Sequence, residues 1–449
     1  MLSSIILDQT IPSAQEALLS GSQVVTWREL RSQARRMLTA FEGLKARRVG
    51  LSMRATVGSF AALAALDRIG TDTFLFDGRT TVEEMLPRAS KLKLGAILTS
   101  TSATDDLGFH VHELADEREW SGSSTVTILT SGSTGDPKAA RHTWETLSRP
   151  VRKGVEGGAP RWLLAYRPNL YAGLQVMLQC FADRGTLVIP PDDIDPHALA
   201  QLMSDAKVQY VSATPSFWRR LLILADSETL KKTPLIQITL GGEVVDQPLL
   251  DRLKEIYPNS RLAHIYATTE LGRCFSVHDE IAGFPTTYLD KALSDGSQLR
   301  IHDGELHVRS ANSMRMYDPY SGRQTANVDW FPTGDLVERK GDRVYFVGRK
   351  TDMINVAGSK VYPVEVERTI RGIPGVSDVR VFGKASSVAG ELVACEVVPL
   401  PGEDVGALRI RINQTCRASL SSPQLPRSIA FVEQVVLSAA GKTLRRKIS

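Results

Sequence analysis

Thr125-Val126-Thr127-Ile128-Leu129-Thr130-Ser131-Gly132-Ser133-Thr134-Gly135-Asp136-Pro137-Lys138 decides how the rest of this chain is read. Thr125 to Leu129 alternate polar and apolar side chains, as a short strand does. The residues after them hold two glycines, four hydroxyl side chains and a closing lysine. Glycines let a backbone approach an oxyanion closely, amides and hydroxyls donate to it, and lysine adds positive charge. A strand feeding such a turn is a phosphate cradle. It is not a Walker loop, whose lysine follows a glycine and precedes Ser or Thr; Asp136-Pro137 and Ala139 stand there instead. Nor does it carry the G-x-G-x-x-G run of a dinucleotide site.

At 449 residues the chain has room for two or three domains, and its 42% apolar and 23% charged residues are ordinary for a globular protein. A net charge of +4 gives no argument for nucleic acid and a mild one for anionic substrates. Cys180, Cys274, Cys395 and Cys416 are far apart, which reads as buried thiols in a reducing compartment, not disulfides or zinc ligands. Met1 to Pro12 lacks a secretory pattern. Phe60 to Phe76 is broken by Asp67, Arg68 and Asp72 and cannot span a bilayer. The expectation is a soluble cytoplasmic protein with no nucleic-acid partner.

Around the cradle, helix and strand patterns alternate. Strands are expected at Val49 to Met53, Thr73 to Phe76, Gly95 to Leu98, Trp162 to Ala165, Gly185 to Ile189, Val208 to Ser212, Leu235 to Leu240 and Leu262 to Ala267. Helical spacing intervenes, for example at Ser59 to Ile69, Pro196 to Ala206 and Asp246 to Tyr257. Repeated βα units of this kind predict an α/β fold with parallel sheets covered by helices. From about residue 297 to 350 short strands and turns take over, with Gly341-Asp342 as a hairpin turn. From residue 351 an α+β unit follows, its helices at Pro363 to Arg371 and Val405 to Leu420.

Further clusters fall at strand ends or in turns: Gly241-Gly242-Glu243, Tyr266-Ala267-Thr268-Thr269-Glu270, Thr333-Gly334-Asp335 with Gly348-Arg349, and Ala440-Gly441-Lys442-Thr443-Leu444-Arg445-Arg446-Lys447. Ligands bind at such strand ends in parallel sheets. With the cradle, and in this order, these clusters resemble the motifs of the adenylate-forming superfamily of acyl-CoA synthetases, peptide-synthetase adenylation domains and beetle luciferases. The resemblance implies a large AMP-binding domain over residues 1–350, including a barrel-like β-rich part, and a small mobile domain over 351–449. It implies that Thr130, Ser131, Gly132, Ser133, Thr134, Gly135 and Lys138 hold the ATP phosphates. Gly241, Gly242 and Glu243 would lie beside adenine and acyl group. Tyr266 and Ala267 would meet adenine, Thr269 the α-phosphate and Glu270 Mg²⁺. Asp335 would hold the ribose with Arg349, and Lys442 would bridge the substrate carboxylate and α-phosphate. Ala267 replaces the family's usual glycine, and the hinge position would fall on Thr351, where the family has Asp or Lys, so that Lys350 or Asp352 could also be the pivot.

The implied reaction is ATP-dependent adenylation of a carboxylic acid, followed by transfer to the thiol of CoA or of a carrier-protein phosphopantetheine. The small domain would rotate between the halves, withdrawing Lys442 and presenting the strand around Gly358. Arg167 to Cys180 occupies the acyl region, with Tyr171 and Gly173 as pocket candidates. It contains no acidic residue, and a buried ammonium without a counter-charge is costly, so amino-acid substrates are disfavoured. Aryl or medium-chain aliphatic acids are expected. The rival readings are a Walker-type NTPase, which Asp136-Pro137 opposes, and a catalytically silent nucleotide-binding regulator.

Overall fold

The computed structural model describes residues 2–100, 108–115, 118–130, 138–152, 158–321, 329–386, 390–438 and 441–445. Its layers follow from side-chain alternation along the strands. In Asp72–Asp77, Leu75 enters an inner core while Phe74 and Phe76 enter an outer one. In Arg161–Leu164, Trp162 and Leu164 face the inner core and Leu163 a second outer one. Thr186–Ile189 repeats the division, with Leu187 and Ile189 inside and Val188 outside. Successive side chains point to opposite faces, so a strand buried on both faces serves two cores.

Two large sheets result. The first runs Met316–Tyr317, Lys138–Thr143, Thr125–Thr130, Asp72–Asp77, Arg48–Met53, Ala96–Ser100, Phe109–Glu113. The second runs Gly272–Val277, Arg261–Thr268, Gln237–Gly241, Tyr210–Ala213, Arg161–Leu164, Thr186–Ile189, Glu16–Ser20, Gln23–Thr26. Between them lie helices Val57–Ile69 and Tyr171–Ala182, where Phe181 meets Trp27 and Phe60 edge-on at 5.4 and 5.8 Å. Val57–Ile69 is buried on nearly every side, which explains why it reads as apolar all round. Among the described residues no helix is long and apolar enough to cross a membrane.

The expected parallel sheets are in fact mixed. Their centres are parallel, but Lys138–Thr143, Phe109–Glu113, Gly272–Val277 and Gln23–Thr26 pair antiparallel. Adjacent hairpin partners need only a short turn, whereas parallel neighbours need a crossover. The hairpin Glu16–Ser20/Gln23–Thr26 lies ahead of the region that sequence patterning assigned.

A third, five-stranded antiparallel sheet contains Phe284–Pro285, Arg343–Arg349, Phe331–Lys340, Glu305–Arg309 and Gln298–His302. Lys340 and Arg343 pair across Gly341-Asp342, the expected turn. The fourth sheet uses only strands from Ile354 onward, and helices Pro363–Arg371 and Val405–Ser419 close its core. At its edge Ala357 and Gly358 both have positive φ, the signature of a tight hairpin turn, and Gly358 is exposed.

Four charges are buried within the first sheet. Asp72 and Asp318 are wholly inaccessible, and Arg48 and Arg141 nearly so. Arg141 reaches Asp72 at 2.7 Å and also Asp318, while Arg48 lies 2.5 Å from Asp318 and 3.6 Å from Asp72. Thr125 and Thr127 add hydroxyls to Asp72. The two cations and two anions cancel, which is the condition under which buried charge is tolerated.

Candidate active site

The cradle of the sequence is the connection between two antiparallel strands, with Thr130 and Lys138 as direct partners. Ser131, Gly132, Ser133, Thr134 and Gly135, like Asp136 and Pro137, lie outside the described residues. Alternation then aims the second strand. Lys138, Ala140 and His142 share one face, and Tyr317 pairs with Ala140. All three polar side chains on that face reach the turn that ends Arg261–Thr268. Lys138 Nζ lies 3.4 Å from Glu270 Oε1, and the Tyr317 hydroxyl donates to the same oxygen at 2.9 Å. His142 Nε2 bonds the Thr269 carbonyl at 2.7 Å. Burial pushes the Glu270 carboxyl up, but Lys138 and the Tyr317 hydroxyl outweigh it and hold the group below its ordinary value.

His142 was not found by sequence reading, although its even spacing from Lys138 was the available signal. Burial pushes it down to about 4, against the pull of the Thr269 carbonyl and Glu270. It is therefore a neutral donor at pH 7. Unfolded histidine titrates near 6.5, so the unfolded chain binds the extra proton between pH 6.5 and about 4. The stability held by neutral His142 is complete above pH 6.5 and falls as acid is added, by about 3 kcal/mol at the lower end. His142→Phe should flatten that part of a urea-unfolding profile against pH; an unchanged acid slope would reject the role.

Across the site, register makes another pair. Asp335 and Arg349 are direct partners on neighbouring antiparallel strands, with Arg349 Nε 2.8 Å from Asp335 Oδ1. The Tyr266 hydroxyl donates to Asp335 Oδ2. The Tyr266 ring lies nearly parallel to Phe275 and Phe346, at 5.3 and 5.1 Å. Tyr266 thus joins the adenine-site candidates to the ribose-site candidate, while already stacked on protein rings.

Lys442 comes to the same place from the far end of the chain. Burial, then Arg349, lower its pKa; Glu243, Asp335 and Glu270 pull the other way. Gly242 has φ +85°, and a Cβ there would come 3.1 Å from Lys442 Cε. Both oxygens of Glu243 accept from protein donors, the amides of Ser216 and Thr443 at 2.9 Å each. Gly241 accepts from the Tyr166 hydroxyl at 3.2 Å. Ala440, Arg446 and Lys447 lie outside the described residues. Arg445 turns away to Glu367 at 2.7 Å.

The two pocket candidates, Tyr171 and Gly173, are tightly packed. A Cβ on Gly173 would come 2.1 Å from the Arg167 carbonyl oxygen, so glycine is needed for the helix to start there. Tyr171 is 6% exposed, with its ring 5.7 Å from His142 and its hydroxyl against Gly272. Arg273 is the direct partner of Ala267, which packs towards the inner core with Tyr166, so both point to that side. Its guanidinium is partly buried and makes no hydrogen bond or ion pair with a described residue. Burial and then Arg152 lower its pKa.

Among the described residues no group of three or more His, Cys, Asp or Glu could hold a metal alone. Glu270 nevertheless suits Mg²⁺, which takes one or two carboxylates and completes its shell with phosphate and water oxygens. The contacts of Lys138 and Tyr317 to this carboxylate both fall on Oε1.

Residues 9–318 match the profile described as AMP-binding enzyme, and residues 365–442 that of the AMP-binding enzyme C-terminal domain. A 2-succinylbenzoate–CoA ligase of Listeria innocua is 24% identical over 87% of this chain and 86% of its own length. The long-chain-fatty-acid–CoA ligase FadD13 of Mycobacterium tuberculosis is 28% identical over 73% of this chain and 67% of its own. Among solved structures, the anthranilate CoA ligase AuaEII in complex with anthranoyl-AMP superposes with a TM-score of 0.80. It covers 98% of this chain and 95% of its own at 17% identity, a likeness of fold.

Proposed function

Because the chain belongs to the AMP-binding enzyme family of adenylate-forming ligases, we propose that it activates a carboxylic acid as its acyl-adenylate and passes the acyl group to a thiol. The observation that carries this reading is convergence. Lys138, Glu270, Asp335 and Lys442 come from four distant segments and meet around one space.

In the first half-reaction a carboxylate oxygen attacks the α-phosphorus of ATP, the bond to the β-phosphate oxygen breaks, and pyrophosphate leaves. Asp335 with Tyr266 and Arg349 would orient the ribose. Lys138 would draw charge from the departing phosphates, and Lys442 would sit between the carboxylate and the α-phosphate, where negative charge gathers. Glu270 would hold Mg²⁺, which when bound neutralises phosphate charge. In the second half a thiol, deprotonated as it attacks, adds to the acyl carbon and AMP departs. The thiol belongs to CoA or to a carrier-protein phosphopantetheine. Small-domain rotation would bring the exposed Gly358 turn to the site for this step.

The acid is an aryl or medium-chain aliphatic one. One observation favours a narrower version, in which it carries a second carboxylate. A partly buried guanidinium that makes no hydrogen bond or ion pair with a described residue, Arg273, on the Tyr166 side of the strand would meet a distal anion. The 2-succinylbenzoate–CoA ligase of Listeria innocua acts, by its name, on an acid of that kind.

A hydroxylamine-trapping screen of mono- and dicarboxylic acids with ATP and Mg²⁺ tests both levels. Formation of hydroxamate and AMP is expected. ADP and phosphate instead would reject the reading. If a diacid is the substrate, Arg273→Leu should raise its KM about tenfold or more and leave monoacids unaffected. Equal effects on both would remove Arg273 from the pocket.

A further inference from the structure

The loop Gly242-Glu243-Val244-Val245-Asp246 carries two carboxylates, and each joins the large domain to the small one. Glu243 Oε2 accepts from the Ser216 amide at 2.9 Å within the large domain. Its Oε1 accepts from Thr443, the amide at 2.9 Å and the hydroxyl at 3.3 Å, in the residue next to Lys442. Asp246 Oδ2 pairs with Arg219 at 2.7 Å and faces Arg371 of the small domain at 4.0 Å. Arg371 is itself held by Asp378 at 3.2 Å. Close by, the Thr214 hydroxyl donates to the Gly441 carbonyl at 3.3 Å.

The segment bearing Lys442 is shaped to meet this loop. Ser438 receives the Gly441 amide at its carbonyl and donates its own amide to the Lys442 carbonyl, at 2.9 and 2.7 Å. Gly441 has φ +67°. These bonds leave the Thr443 amide pointing outward, and Glu243 takes it. Left-handed Gly242 brings the backbone against the Lys442 side chain, which a Cβ would obstruct.

We propose that the Gly242–Asp246 loop is a latch that selects the domain arrangement in which Lys442 faces the nucleotide, with Glu243 as its positioning residue. The proposal rests on the reading of Lys442 as a group of the adenylation step. Glu243 does not touch substrate in this role. It fixes the backbone next to the lysine, so that only the half-reaction using that arrangement depends on it. Thioester formation requires the Thr443 bonds to open, and a weaker latch does not impede it.

The two halves can be measured separately: pyrophosphate–ATP exchange for adenylation, and thioester formation from pre-formed acyl-adenylate with thiol for transfer. Glu243→Ala should lower exchange about tenfold, the weight of one hydrogen bond to a charged group. Transfer from supplied adenylate should be unchanged or faster. Glu243→Gln fills the same space but presents one acceptor oxygen, which cannot serve both Ser216 and Thr443. It should show the same split with a smaller loss, and it carries the test if the alanine variant folds poorly. Equal losses in both halves, or undiminished exchange in both variants, would overturn the latch. Failure of the unaltered protein to exchange pyrophosphate with any acid would instead overturn the ligase reading.

Discussion

Lys442→Ala should cut pyrophosphate–ATP exchange by about 10²–10³-fold, the usual loss when one donor to a developing oxyanion is removed. Thioester formation from pre-formed acyl-adenylate should survive. The expectation follows from where the ammonium lies. Arg349 and the carboxylates of Glu243, Asp335 and Glu270 are the charges that act on it, so it borders the space those groups enclose. Burial already disfavours the charge, and a lysine kept there with no ion pair to a described residue is poised for an anion. Lys442→Arg keeps the charge but not the shape beside Gly242, and should recover only part of the rate. Unchanged exchange alongside failed transfer would assign the lysine to the other half-reaction.

The second large effect is on stability. Asp72→Ala should destabilise the large domain by about 3–5 kcal/mol, because it leaves two buried arginines facing a single carboxylate. Urea unfolding followed through tryptophan fluorescence would measure it, and a loss below about 1 kcal/mol would show that water reaches the network. Removing Arg141 as well should restore part of the loss, since Arg48 and Asp318 remain as a neutral pair at 2.5 Å. The network also has a functional side. Arg141 and Asp318 adjoin Ala140 and Tyr317, so the same two strands that carry the charges place Tyr317 and Lys138 on Glu270. Weaker nucleotide binding should accompany the lower stability.

How much of this was legible in the sequence depended on range. The helix Pro363–Arg371 and the Gly341-Asp342 turn could be read because proline, glycine and side-chain periodicity act locally. The site candidates were legible as clusters at strand ends. What the residues there do to one another was not. Glu243 gave no sign that its oxygens would be taken by Ser216 and Thr443, since the second lies 200 residues away. His142 looked like any strand residue until Lys138–Thr143 was laid against the turn after Arg261–Thr268. The packing of Tyr171 against Gly272 and of Gly173 under the Arg167 carbonyl left no mark in local spacing. The antiparallel edges escaped because alternation is the same in either strand direction.

Strands whose odd and even residues enter different cores have a consequence for drift over evolutionary time. Sliding such a strand by one position would exchange two populations of apolar side chains at once, leaving neither neighbourhood correctly filled. Its alignment is fastened from above and from below, while individual residues can change if each stays oily and of similar volume. The tips of such strands keep their positions although most letters behind them are replaceable. A chemistry mounted on those tips can outlast nearly all of the wording that supports it.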